Sequence, residues 1–349
     1  MWNVSKIRNW YRLEVIIFVM IGVGFLFQSS CVCPPATTAE FFGAKPTKPV
    51  TFRSDEYVVC LLQGEESPAS LADRFLGDRK KSWVIEDANE GIPFEKGRKI
   101  VIPLKEENKG GLTADGYQVV PILAYHRFAE DCRSPLCMPA SIFDQQMKYL
   151  KDNGYRAISM SRLLGFLRYR HAIPKRSVVI TLDDGYRSAY DIAYPILKKY
   201  GFTATLLIYT NFVGVSRGSI TWDQLREMKA TGFEVGSQTI SHCDLTKERE
   251  EEDDKAYIER IRRELLVSKQ IIDKKLGQDT IHLAFPYGRY NMRVLDICDH
   301  VGYKMAFSVK RGGNPFFGDL LSLRRDQILK RDMETFVTRA GGFHRFSIK

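Results

Sequence analysis

From Val119 onward, short apolar runs alternate with amphipathic stretches. Val119–Ala124, Val178–Leu182, Thr205–Ile208, Phe233–Gly236, His282–Phe285 and Met305–Val309 are compact and aliphatic, and predict buried strands. Phe143–Asn153, Ala189–Tyr200, Trp222–Thr231 and Met292–His300 read as the helices between them. Strand and helix in such alternation describe an α/β domain on a mainly parallel sheet, over residues 117–349. Lys247–Leu276 is dense in charge, acidic at its start and basic beyond. It predicts a long solvated helix with no binding role.

The pattern changes ahead of that domain. Residues 53–104 form a compact unit of about fifty residues. A strand-like Glu56-Tyr57-Val58-Val59 leads into Gly64-Glu65-Glu66-Ser67, then helical stretches over Ser70–Phe75 and Trp83–Asn89. Gly97-Arg98-Lys99-Ile100-Val101-Ile102-Pro103 closes it, so the unit reads strand–helix–helix–strand, a small α+β domain. Residues 32–52, rich in Pro, Thr and Lys, and the polar 105–116 read as linkers. Residues 1–31 have the layout of an export signal: Lys6, Arg8 and Arg12, an uncharged run of 13 residues over Val15–Phe27, then Gln28-Ser29-Ser30-Cys31. That run is short against the roughly 20 residues a membrane span needs. Cys31 resembles the lipidated cysteine of bacterial lipoproteins, although Gln28 stands where those signals carry an aliphatic residue. An exported chain, lipid-tethered to the envelope membrane on its periplasmic or extracellular face, is the expectation, with an uncleaved anchor or a simple secreted form as the alternatives.

Composition changes this picture little. With 52 basic and 42 acidic side chains the net charge is +10, spread along the chain. That suits solubility, an anionic glycan or a lipid surface, and no nucleic-acid motif accompanies it. A chain of 349 residues can bury a core without staples. In an oxidising compartment Cys132 and Cys137, bracketing Arg133-Ser134-Pro135-Leu136, can close a local disulfide. Cys33 lies in the linker, and Cys60, Cys243 and Cys298 stand apart. No cysteine pair has the spacing of a zinc knuckle.

Polar groups gather at four predicted strand ends, where parallel α/β architectures place their chemistry. Thr181-Leu182-Asp183-Asp184-Gly185 sets two carboxylates side by side, a repulsion that a bound cation on one of them would relieve, leaving the other as a base. The same residues also make an ordinary turn. Gly236-Ser237-Gln238-Thr239-Ile240-Ser241-His242 brings an imidazole to a neighbouring strand end, and imidazole with carboxylate suits a divalent ion. Ala284-Phe285-Pro286-Tyr287-Gly288 is either a plain turn or a rigid presenter of a backbone N–H. Tyr125-His126-Arg127 closes the first strand, with His126 either an acid or a satisfied core histidine.

In that order these segments resemble the polysaccharide deacetylases of carbohydrate esterase family four, the NodB-homology domain. The Tyr-His-Arg start is similar to the branch acting on poly-N-acetylglucosamine. The resemblance implies a distorted (β/α) barrel and metal-dependent amide hydrolysis on a polymer such as exopolysaccharide or peptidoglycan. It implies Asp183 as general base, Asp184 and His242 as ligands, and His126 as the acid for the leaving amine. Tyr287 would form the oxyanion hole, with Pro286, Tyr287 and Tyr186 against substrate. Zinc is the expected metal, with cobalt and nickel as alternatives. Two departures stand out. Gln238 occupies the place of a ligand histidine, and its amide oxygen is a weaker donor. The arginine that steadies the base is missing before Pro286, and Arg324 or Arg325, in the strand-like Leu321–Ile328, is the candidate substitute. An inactive glycan-binding descendant and an O-acetyl esterase are the rival expectations. The 53–104 unit resembles a LysM module in its Tyr-Val-Val opening, Gly-Glu turn, Asn89 and Ile-x-Ile-Pro close. That resemblance implies binding of N-acetylglucosamine-containing glycans.

Overall fold

The computed structural model describes residues 50–105 and 108–346. The export signal, Cys31, Cys33 and all but the end of the 32–52 linker therefore lie outside the described residues.

The N-terminal module begins earlier than its composition suggests. Strand β1 (Val50–Arg53) pairs antiparallel with β2 (Tyr57–Leu61), Phe52 opposite Val59 and Arg53 opposite Val58. The predicted linker thus ends at a strand, and the order becomes strand–strand–helix–helix–strand. Helix α1 (Pro68–Leu76) starts on a reciprocal cap between Ser67 and Ser70 and stops at Gly77, whose φ of 67° favours glycine. Helix α2 (Ser82–Ala88) follows, and β3 (Lys99–Pro103) completes a sheet of order β1-β2-β3. Alternate residues Val58, Cys60, Ile100 and Ile102 face Leu71, Ala72 and Ile85 in one buried core. Asn89, 2% exposed, locks α2 to β3: its amide donates to the Ile85 and Val101 carbonyls and accepts from the Val101 N–H.

The second predicted linker is also partly folded, into β4 (Leu112–Thr113) and β5 (Gly116–Gln118). Beyond it come β6 (Ile122–Tyr125), β7 (Arg127–Ala129), β8 (Cys137–Pro139), α3 (Ala140–Asp152), β9 (Arg156–Ala157), α4 (Met160–Leu167) and β10 (Ser177–Asp184). The chain continues through α5 (Tyr194–Tyr200), β11 (Thr205–Ile208), α6 (Trp222–Ala230), β12 (Glu234–Ser237), α7 (Asp254–Leu276), β13 (His282–Ala284) and α8 (Met292–Val301). It ends with β14 (Met305–Phe307), β15 (Asp326–Gln327), α9 (Met333–Arg339) and β16 (Phe343–Arg345). The expected long helix starts at Asp254, capped by Asp253, rather than at Lys247.

One parallel sheet runs β14-β13-β12-β11-β10-β6-β15, with β9 paired to the start of β10. Phe307 and Leu323 bridge its two edges, which bends the sheet into the expected distorted barrel. Val179, Leu207, Ala284, Phe307 and Leu323 belong to one buried cluster, while Ile180, Leu182 and Leu206 join the cluster that includes Phe143, Met147 and Leu197 of α3 and α5. Strand β10 is buried at all eight positions because it sits between β6 and β11 and is covered on both faces. Finally β16 pairs antiparallel with β5, giving a small sheet of order β16-β5-β4. Cys132 and Cys137 are joined as a disulfide beside the β7–β8 pair.

Candidate functional site

The C-terminal ends of the barrel strands converge on one cluster. Asp183 and Asp184 end β10, 2% and 9% exposed, and find different partners. Asp183 Oδ1 accepts from Arg325 Nη1 at 2.7 Å, a pair almost wholly buried. Arg325 also donates to Thr181 Oγ1 (3.3 Å) and, through Nε, to the Ser308 carbonyl (3.1 Å). A guanidinium this deep is tolerated because its forked donors are engaged. Of the two candidates, Arg325 is therefore the residue beside Asp183; Arg324 is exposed. Most of the strand expected over Leu321–Ile328 is irregular, with only Asp326–Gln327 extended, but that is enough to seat Arg325 next to β6.

Asp184 turns the other way. Its Oδ1 lies 3.4 Å from His242 Nε2 and has no hydrogen-bond partner, although it is buried. Burial raises the Asp184 carboxyl, but His242, His126 and Gln238 outweigh it and hold the group below the usual carboxylate range. His126, 8% exposed, immediately follows β6, so the early histidine shares this pocket.

The loop from Ser237 to His242 is built from below by α7. Glu264 accepts from the Ile240 and Ser241 N–H groups, both at 3.0 Å, and from Ser241 Oγ at 2.9 Å. Ser268 Oγ meets Ser237 Oγ at 2.7 Å and the Thr239 carbonyl at 3.0 Å. The helix read from sequence as a purely solvated element is thus the mould of the loop that carries Gln238 and His242. Nothing in its charge pattern distinguished Glu264 from its exposed neighbours.

Gln238 sits inside the cluster in an orientation that differs from its predicted role. Its Oε1 accepts from the Asp184 N–H at 2.9 Å, and its Nε2 lies 3.1 Å from His242 Nε2. The amide oxygen expected to serve as a ligand is committed to the backbone. An amide N–H requires a lone pair on that imidazole nitrogen, whereas the Asp184 carboxylate would require a proton there. The lone-pair form is the one that binds metal, and Asp184 Oδ1 at 3.4 Å is placed to share the same ion. Asp184 and His242 fit a divalent cation; Gln238, as oriented, does not add a third donor.

Pro286 and Tyr287 occupy the loop after β13. Pro286 is buried at the start of the turn. The Tyr287 ring is 59% exposed and stacks edge-on against His242 at 4.9 Å. Tyr209 flanks His242 on another side at 5.2 Å. Tyr186 packs on Phe212, with the Arg127 guanidinium 5.5 Å from its ring. Burial and the Asp184 charge push its hydroxyl up, Arg127 opposing them. Backbone strain marks the same place. Among the described residues seven non-glycine positions have positive φ, and four of them are Asp184 (72°), Thr239 (73°), His242 (61°) and Tyr287 (58°). Each costs about 1–3 kcal/mol, held by the surrounding packing.

The fold described above recurs in known proteins. The Polysaccharide deacetylase family profile matches residues 170–306. The protein YxkH of Bacillus subtilis is 32% identical over 193 residues, covering 55% of this chain and 65% of its own length, just under two thirds. The poly-beta-1,6-N-acetyl-D-glucosamine N-deacetylase of Staphylococcus aureus is 31% identical over 210 residues, covering 58% of this chain and 72% of that one. Among solved structures, the Streptococcus pyogenes deacetylase PplD in complex with acetate superposes with a TM-score of 0.59 at 31% identity, over 65% of this chain and 99% of that one.

Proposed function

The chain belongs to the polysaccharide deacetylase family, and from that premise we propose that it hydrolyses N-acetyl groups on an N-acetylglucosamine polymer at the cell envelope. The observation that carries the reading is the divided fate of the twin carboxylates. Arg325 engages Asp183, while Asp184 keeps an unpartnered oxygen beside His242.

A divalent ion on Asp184 and His242, zinc in the first instance, would supply carbonyl polarisation and a more acidic water. Asp183 takes a proton from the attacking water through Oδ2, since Arg325 occupies Oδ1. The Tyr287 N–H donates to the acetamide oxygen as the carbon becomes tetrahedral. His126 passes a proton to the nitrogen as the C–N bond breaks, because an amide anion is too basic to leave alone. Acetate and a free sugar amine result. Tyr186 and the exposed Tyr287 ring flank the sugar. The 53–104 module, with its LysM-like pattern, would hold the same polymer, and a lipid on Cys31 would hold the enzyme at the membrane.

Gln238 is the specific observation in favour of a rival, a glycan-binding protein with a metal-poor site. Acetate release from a defined N-acetylglucosamine oligomer, after chelation and after adding back zinc, cobalt or nickel, separates the two readings. Metal-restored release supports hydrolysis; no release with any metal supports the binding protein. Release from an O-acetylated oligomer alone would instead make it an esterase. Moving Cys31→Ala chains from the membrane to the soluble fraction is the matching test of the tether.

A further inference from the structure

The loops after β12 and β13 bring the His242 imidazole and the Tyr287 backbone to one place, and an ion pair joins the same loops further along. Arg289 Nη1 donates to Asp244 Oδ2 at 2.7 Å. Asp244 comes two residues after His242, and Arg289 two residues after Tyr287. The Arg289 guanidinium also lies 6.0 Å from the centre of the Tyr287 ring, and that ring meets His242 edge-on at 4.9 Å. Imidazole, carboxylate, guanidinium and phenol ring thus close a circuit between the two loops.

The two sides of the circuit are held unequally. Glu264 and Ser268 brace the His242 loop from α7. Within that loop the Thr246 N–H and hydroxyl donate to Asp244 Oδ1 at 3.1 and 2.7 Å, which leaves Oδ2 to Arg289. The Asp244 side chain is 9% exposed and so offers a fixed acceptor. On the other side, Tyr287 is 59% exposed and the Arg289 side chain 58%. The Tyr287 turn is seated below by buried Pro286, and by Gly288, which lies so near Val309 that a Cβ would collide with it. Its outer side faces solvent, and there Arg289 reaches across. Restraint is needed because Tyr287 sits at φ 58°, a conformation that costs a bulky residue energy. Turning the Pro286–Tyr287 peptide over would relieve that strain and aim the Tyr287 N–H elsewhere.

We propose that Arg289 is a positioning residue for the reaction: through Asp244 it hangs the Tyr287 turn from the braced His242 loop and keeps the Tyr287 N–H aimed at the acetamide oxygen. The role rests on the deacetylase reading, in which that N–H stabilises the tetrahedral oxygen. A contact that strengthens only as the carbon becomes tetrahedral is expressed in kcat and not in KM. Misplacing a reacting group by about 1 Å costs on the order of a hundredfold, so loss of one restraint among several should cost about tenfold. An ion pair with an exposed partner adds little to stability, so its loss should show in rate and not in folding.

Acetate release by the zinc-loaded full chain tests this. Arg289→Ala and Asp244→Asn should each lower kcat about tenfold, with KM and zinc affinity within about twofold of the parent chain. The double variant should be no slower than either single one. Arg289→Lys, which keeps the cation, should recover most of the rate. Unchanged kcat in Arg289→Ala overturns the proposal. A parallel loss of zinc affinity also overturns it, since the pair would then be holding the His242 loop instead. The His242 ring-proton resonances of the metal-free chain, shifted by the neighbouring Tyr287 ring, give a readout without turnover. Arg289→Ala and Asp244→Asn should move them toward their positions in Tyr287→Ala; unmoved resonances overturn the clasp. If they move while the parent chain releases no acetate with any metal, the clasp stands and the deacetylase reading falls.

Discussion

The two ends of β10 carry charges in opposite ways. Before Ser177, Lys175 and Arg176 pair with Glu90, and all three side chains are more than half exposed. After Leu182, Asp183 pairs with an Arg325 that is 1% exposed, and Asp184, at positive φ, leaves one oxygen without a hydrogen bond. Exposed pairs are screened and replaceable, so the first end can hold a module without demanding one geometry. Buried pairs fix a geometry at the expense of solvation, and the strain at Asp184, Thr239, His242 and Tyr287 adds to that expense. One end is organised for attachment and the other for chemistry.

That contrast can be broken most severely at Asp183. Asp183→Asn should lower acetate release by about 10²–10⁴-fold, the usual weight of a general base, with zinc content unchanged by elemental analysis. Arg325→Ala should cost about 3–5 kcal/mol by leaving a buried carboxylate unpaired, read as a lowered urea midpoint. Gln238→His should tighten zinc binding by at least about tenfold, or 1.4 kcal/mol, in equilibrium dialysis; unchanged affinity would mean that position 238 does not face the ion. Glu90→Ala, by contrast, should shift the unfolding free energy by less than about 1 kcal/mol. The smallest effect concerns Asp87, whose carboxyl burial raises despite the opposing Lys175 N–H. Its folded pKa exceeds its unfolded one, so the stability it contributes is present in acid and lost as pH rises through the folded value. Asp87→Asn should therefore raise the melting temperature slightly at neutral pH and flatten its dependence on pH between the two values.

Much of the chemical end was legible because its residues follow strands with strong apolar patterns. Asp183, Asp184, His126, His242 and Tyr287 fall at strand ends once Val119–Ala124, Val178–Leu182, Phe233–Gly236 and His282–Phe285 are read as strands. What escaped depends on tertiary contact. Whether Arg324 or Arg325 meets Asp183 depends on how the chain enters the two-residue strand that follows them. The orientation of Gln238 is set by the Asp184 N–H, a bond between loops 54 residues apart. Glu264 looks like any acidic residue on a charged helix until Ile240 and Ser241 lie across it. At the other end, β1, β4 and β5 were hidden within polar, Pro- or Gly-bearing sequence, because such short strands owe their form to partners rather than to propensity.

Strand β6, which leads into His126, has β10 on one side and β15 on the other, and β15 comes roughly 200 residues later in the chain. During synthesis, therefore, Asp183 and its imidazole neighbours emerge well before the arginine that pairs with Asp183. A chain halted short of Arg325 would contain nearly every reacting group and no working arrangement of them. The arrangement is therefore completed late, when the short strand after Arg325 pairs beside β6.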